Sequence, residues 1–142
     1  MASAQKNSSL NHAAMKTANA DIKIAISSTK SNDCILDLEV TNISNKALIL
    51  YENSHGAILS IQLHDENGIL HDIGELEGSS QLRKIPPRET RRFQTKLQRY
   101  FRLKPGVWTL DCKVILYEED GKDARAQMPQ LQFKITPETK AK

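Results

Sequence analysis

Long apolar runs are missing from this chain of 142 residues. None approaches the roughly 18–20 residues that a membrane-spanning helix needs. Residues 1–20 also lack the apolar stretch of a secretory leader. There are only six glycines, and none forms a phosphate-cradling loop. No G-x-S-x-G motif occurs. The two cysteines have no neighbouring ligands at zinc spacing. Helical periodicity is nearly absent. The one candidate, Ser9 to Ala20, has too little apolar face to stand alone. These gaps exclude a spanning helix, a P-loop NTPase, a structural zinc module and a nucleophile-elbow hydrolase.

Hydrophobic residues make up 39% of the chain, low for a globular protein but above the disordered range. Part of the shortfall lies at the ends. Residues 1–20 are expected to be a polar segment, disordered or marginally helical; residues 21–136 are the foldable domain; residues 137–142 are a polar tail. Ala2-Ser3-Ala4-Gln5 has the form of a cleavage site whose apolar leader or anchor has been trimmed, which points to a cell-envelope or secreted setting. A native start at Met1 favours the cytoplasm instead.

Within 21–136 the dominant signal is period-2 alternation, the signature of half-buried strands. Ile22, Ile24 and Ile26 alternate with Lys23 and Ala25. Cys34, Leu36, Leu38 and Val40 alternate with Asp37, Glu39 and Thr41. Ala47–Tyr51 is a more continuous apolar strand. Leu59, Ile61 and Leu63 follow, then Asn67-Gly68, read as a two-residue type I′ turn joining 57–65 to 69–73. Residues 74–82 read as an irregular loop, and Pro86-Pro87 as a break. Phe93, Thr95 and Leu97 share one face. Trp108, Leu110, Cys112, Val114 and Leu116 line the longest strand, and Leu131, Phe133 and Ile135 the last. Strands at about ten-residue spacing predict an all-β fold, an antiparallel immunoglobulin-like sandwich of about seven to eight strands, with a closed barrel as the alternative.

Cys34 and Cys112 both fall in phase with the core side of their strands. Each lies eight residues before a break, at Asn42 and at Asp120. Equal depth on parallel-running strands of facing sheets predicts a Cys34–Cys112 disulfide, and with it an oxidising compartment. Two buried free thiols are the alternative.

Four segments carry a resemblance. Residues 38–48 (LEVTNISNKAL), 85–93 (IPPRETRRF) and 103–110 (LKPGVWTL) resemble the strand-B signature, strand-E entry and strand-F entry of bacterial immunoglobulin-like β-sandwich modules. Residues 55–68 (HGAILSIQLHDENG) are similar to a hairpin of the Bacillus-type intracellular proteinase inhibitor family. The resemblance implies a sandwich over about residues 36–117. It implies no inhibitory residue, because the shared positions are turns and strand entries.

Charge is unevenly spread. The net charge is +3, yet the segment from Arg83 to Lys104 carries nine basic residues and one acid, Glu89, leaving −5 elsewhere. Arg83, Lys84, Arg88, Arg92, Lys96, Arg99, Arg102 and Lys104 form the candidate binding surface. Arg92 and Lys96, with Gln94, project from one strand face. Such a surface suits a protein partner, an acidic glycan or an anionic surface. Nucleic acid is disfavoured, with only Tyr100 and Phe101 nearby to stack. A solvated, edge-protecting role is the bland alternative. The type I′ register places His64 opposite His71, a two-imidazole metal candidate if a carboxylate such as Asp72 joins. No paired acids or Cys–His arrangement suggests catalysis, and no cofactor is expected. The expected function is a non-enzymatic binding or structural module of a cell envelope, surface appendage or secreted assembly, able to form homo-oligomers. A soluble inhibitor or immunity-type protein is the alternative, and a small metal-dependent enzyme a third.

Overall fold

The computed structural model describes residues 11–54, 56–75 and 80–137. In chain order the strands are β1 (His12–Lys16), β2 (Ala20–Lys30), β3 (Asp33–Asn42), β4 (Leu48–Asn53), β5 (Gly56–Ala57), β6 (Leu59–His64), β7 (Leu70–Glu75), β8 (Gln81–Ile85) and β9 (Thr90–Lys96). After a 3-10 turn at Leu97–Arg99 come β10 (Gly106–Val114), β11 (Tyr117–Glu118), β12 (Ala126–Gln127) and β13 (Leu131–Ile135). The protein is an all-β antiparallel sandwich. One sheet has the order β1-β2-β3-β9. The second runs β7-β6-β10, with β10 also paired to β12 and β13, and a third, small sheet pairs β4 with β11, β5 and β8.

The alternation in the sequence is the alternation in burial. Leu36, Leu38 and Val40 on β3, Leu59, Ile61 and Leu63 on β6, and Trp108, Leu110 and Val114 on β10 meet in one core. Removing each such aliphatic side chain from water stabilises the fold by about 1.5–3 kcal/mol. At one corner the layers join: the Asn11 N–H donates to the Gln132 carbonyl (2.9 Å) and the Thr136 N–H to that of Thr29 (2.9 Å).

The N-terminal segment departs from expectation. Residues 1–10 lie outside the described residues, but residues 12–16 are a strand paired along β2, not a marginal helix. Ala13 is buried and Met15 half-buried against the core. Alternation carried by Ala and Met is too faint to read in sequence. The turn into β2 is closed by Thr17, whose N–H donates to the Ala20 carbonyl (2.8 Å) and whose Oγ1 accepts the N–H groups of Asn19 (3.1 Å) and Ala20 (3.0 Å). Residues 81–85, at the end of the expected loop, form β8 against β4; residues 76–79 of that loop lie outside the described residues, as do residues 138–142 of the expected tail.

The predicted disulfide is overturned. Cys34 and Cys112 are both buried free thiols. Their directions are as expected, but their depths are not. Lys30 bridges Thr136 and pairs with Asp33, while Gly106 pairs with Ile135. Cys34 therefore sits level with the start of β10, whereas Cys112 lies six residues further along it. At strand rise this is roughly 16–20 Å, against the roughly 4.4–6.8 Å between Cα atoms that a disulfide spans. β10 ends at Val114, well short of Asp120, so equal spacing in sequence from Asn42 and Asp120 does not make the depths equal. Burial, with Asp33 beside one and Asp111 beside the other, pushes both thiols up to about 12.

Candidate functional site

The basic segment does not form one continuous surface, because it serves two of the sheets. Arg83 and Lys84 lie on β8. Arg83 Nε meets Glu52 Oε1 at 2.8 Å and Lys84 Nζ meets Glu119 Oε2 at 3.1 Å. Arg91 pairs with Glu89 at 2.7 Å, and Arg92 on β9 pairs with Glu39 at 3.0 Å. The outward stripe on β9 is thus interleaved with acids from β3: Arg92 stands opposite Glu39, and Gln94 donates to Asp37 at 2.9 Å. Around it, a hollow of about 1000 Å³ crosses the outer face of the first sheet, with Ala14 and Ala25 among its lining residues and charges of both signs, including Lys23, Asp37, Glu39 and Arg92.

Arg88 is a clamp. Its backbone sits at φ +70°, a conformation costly for a residue with a Cβ. The guanidinium donates to the carbonyls of Ile43 (2.5 Å) and Ser44 (3.4 Å) and to Asn45 Oδ1 (3.2 Å). It holds the β8–β9 turn against the end of β3.

The remaining four candidates differ. Lys96, Arg99, Arg102 and Lys104 are all exposed and make no ion pair with a described residue. Lys96 is the last residue of β9, in the outward stripe with Arg92 and Gln94, and Arg99, Arg102 and Lys104 fall on the connector from β9 to β10. This connector closes the end of the sandwich where β3 begins: the Cys34 N–H donates to Gln98 Oε1 (3.1 Å), and the Trp108 indole N–H donates to the Lys104 carbonyl (2.9 Å).

The histidine pair is also corrected. His64 stands opposite Leu70, and His71 opposite Leu63. The loop is therefore not a type I′ turn. Gly68 is at φ +79° and Asn67 is not at positive φ, as in a three-residue loop that ends in a glycine bulge. Asp65 builds it, accepting the N–H groups of Asn67 (2.9 Å) and Ile69 (3.0 Å) on Oδ1. The one-residue change sends the imidazoles to opposite faces. His64 Nδ1 lies 3.8 Å from Asp111 Oδ2; His71 Nε2 lies 3.2 Å from Asp65 Oδ2, its ring edge-on to Trp108 at 5.1 Å. Among the described residues no three His, Cys, Asp or Glu side chains come together as a metal site.

Around the same end the structure adds residues that the sequence reading passed over. Arg102, Lys104, Asp65, Glu66, His71 and Val107 border a hollow of about 270 Å³. Glu66 Oε1 accepts the Val107 N–H at 3.0 Å. Ile69 is 57% exposed, Leu70 47% and Val107 39%, three of the four large apolar side chains exposed among the described residues. Lys134 stands opposite Val107 and is exposed. The only sequence signal was apolar residues out of phase with their strands.

No protein-family model matches the chain, and no curated protein does. The fold is similar to that of solved structures. One is described as the ApaA protein of Bordetella pertussis: 11% identical, TM-score 0.56, covering 82% of this chain and 95% of that one. A second, an X-ray structure of a structural-genomics target, is 13% identical with a TM-score of 0.53, covering 91% of this chain and 85% of that one. The CooA pilin subunit of enterotoxigenic Escherichia coli is matched at 10% identity and a TM-score of 0.32, over 75% of this chain and 84% of that one, a likeness that carries no argument. Identities this low establish the fold alone. Among the described residues no helix is long and apolar enough to cross a membrane.

Proposed function

We propose that this protein is a non-enzymatic binding module of a cell envelope that engages an acidic or anionic partner through the connector end of its sandwich. One observation carries the reading. Of the eight basic residues nominated from the sequence, Arg83, Lys84 and Arg92 are engaged with Glu52, Glu119 and Glu39, and Arg88 with backbone carbonyls. Lys96, Arg99, Arg102 and Lys104 make no ion pair with a described residue; Lys96 ends β9, and the other three share the connector that follows it. Cations that make no ion pair among the described residues set a positive local field, which raises the local concentration and encounter rate of anionic partners. The thiols support a non-catalytic reading, since burial holds both protonated at neutral pH.

The test is binding of labelled polyglutamate at low salt, followed by fluorescence anisotropy. Reversal of Lys96, Arg99, Arg102 and Lys104 to Glu abolishes it. Reversal of Arg83 and Lys84 to Glu, with circular dichroism as a fold check, leaves most of it. Equal losses from the two sets, or no binding by the unmodified protein, overturn the proposal.

A further inference from the structure

The connector end is more than basic. Leu70 shares the outer face of its sheet with His64 and Thr109, to which it is linked through strand pairing. Val107 lies two residues before Thr109 on that face, and Ile69 follows Gly68 at the hairpin tip. The three apolar side chains therefore protrude at one tip of the sandwich. Scattered singly, exposed apolar residues need no explanation; gathered on one tip they mark an interaction surface. Arg102 and Lys104 flank Val107 across the 270 Å³ hollow, and Lys134 stands opposite it on β13. The acids nearest the tip are engaged: Asp65 takes the N–H groups of Asn67 and Ile69 and faces His71, and Glu66, though exposed, takes the Val107 N–H.

We propose that this tip docks on an anionic phospholipid surface, with Ile69, Leu70 and Val107 entering the boundary between headgroups and acyl chains and Arg102, Lys104 and Lys134 lying at the lipid phosphates. The inference rests on the anionic-partner reading above and narrows its partner to one class. Charge complementarity favours phosphates, and shape separates a bilayer from a folded protein. Ile69 and Leu70 are exposed on the hairpin, and Val107 borders only the small hollow, whose other lining residues include the charged Arg102, Lys104, Asp65 and Glu66. Apolar prongs ringed by long cationic side chains match an interface only a few ångströms deep, into which the prongs reach while Lys and Arg extend to the headgroups.

The experiment is co-sedimentation of the whole protein with vesicles of phosphatidylcholine alone and of phosphatidylcholine mixed with phosphatidylglycerol. The protein partitions onto the mixed vesicles and not the neutral ones, and salt weakens the binding. Arg102→Gln, Lys104→Gln and Lys134→Gln each lower partitioning about five-fold. The combined variant Ile69→Ser, Leu70→Ser, Val107→Thr lowers it by about ten-fold or more while leaving polyglutamate binding unchanged. Mixed-vesicle binding that is indifferent to the apolar substitutions overturns the inference and leaves the anionic-partner reading standing. So does polyglutamate binding without vesicle binding, the result expected of an acidic protein partner. Loss of both polyglutamate and vesicle binding removes the two together.

Discussion

Replacing Asn42 with Ala should be among the most damaging single changes away from the apolar core. The side chain is fully buried at the end of β3, with both ends of its amide engaged. Nδ2 donates to the carbonyls of Lys46 (2.7 Å) and Ile85 (2.9 Å). Oδ1 accepts the Ser44 N–H (2.9 Å) and the Ser44 hydroxyl (2.7 Å). Asn42 thus ties β3, the β3–β4 turn and the end of β8 together. Ala removes all four bonds. Each has a net worth of about 1 kcal/mol, and the Ile85 carbonyl, stranded where water does not replace the donor, adds about 1–3 kcal/mol. Partial rescue by water at the more accessible Ser44 and Lys46 offsets some of this, leaving an expected loss of about 3–5 kcal/mol. That is a large share of the roughly 5–15 kcal/mol typical of a whole domain. Urea unfolding followed by the fluorescence of Trp108, the single, buried tryptophan, measures it. Asn42→Asp sharpens the test. It keeps the acceptor role but turns a carboxyl oxygen toward two carbonyls, so its folded pKa is raised. The pH-dependent part of its penalty is absent below the unfolded carboxyl pKa, near 4, and grows as pH rises toward the folded pKa. An Ala variant within about 1 kcal/mol of the parent, or an Asp variant whose stability tracks the parent across pH, would refute the hub assignment.

Two further outcomes follow from the geometry. Cys34 and Cys112 should resist thiol reagents in the native protein, because burial pushes both up to about 12, and should react only on unfolding; intact mass should not change with reductant, and a two-dalton shift would restore the disulfide. Asp65 is held below the ordinary carboxylate range, chiefly by the Ile69 N–H, with His71 and the Asn67 N–H adding to it. Its contribution is present above the unfolded carboxyl pKa and disappears as pH falls through the lower folded value. Asp65→Asn should therefore flatten the acid limb of a stability–pH profile, and an unchanged limb would assign that acid sensitivity elsewhere.

The comparison of sequence with structure turns on particular elements. β3, β6, β9 and β10 were legible because each alternates strong apolar with polar residues over five or more positions, and the buried face is the predicted one. β1 was not, since Ala and Met carry its inward face. The Asn67-Gly68 signal located the hairpin correctly but missed its register by one residue. Dipeptide preference does not report that the Asp65 side chain makes the turn's hydrogen bonds, and that single residue separates a histidine pair from two histidines on opposite faces.

The candidate site divides along the same line. The sequence by itself determined that cations concentrate between Arg83 and Lys104, and that the chain is an antiparallel all-β fold. Both follow from local order: charge counts along the chain, and side-chain direction repeating every two residues. Only the tertiary structure decided which cations make no ion pair among the described residues. Glu39, Glu52 and Glu119 come from other strands, and pairing between strands depends on register, which local pattern leaves undetermined. The same reason separates Cys34 from Cys112 in depth and brings Ile69, Leu70, Val107 and Lys134, from three different segments, to the tip where Arg102 and Lys104 lie.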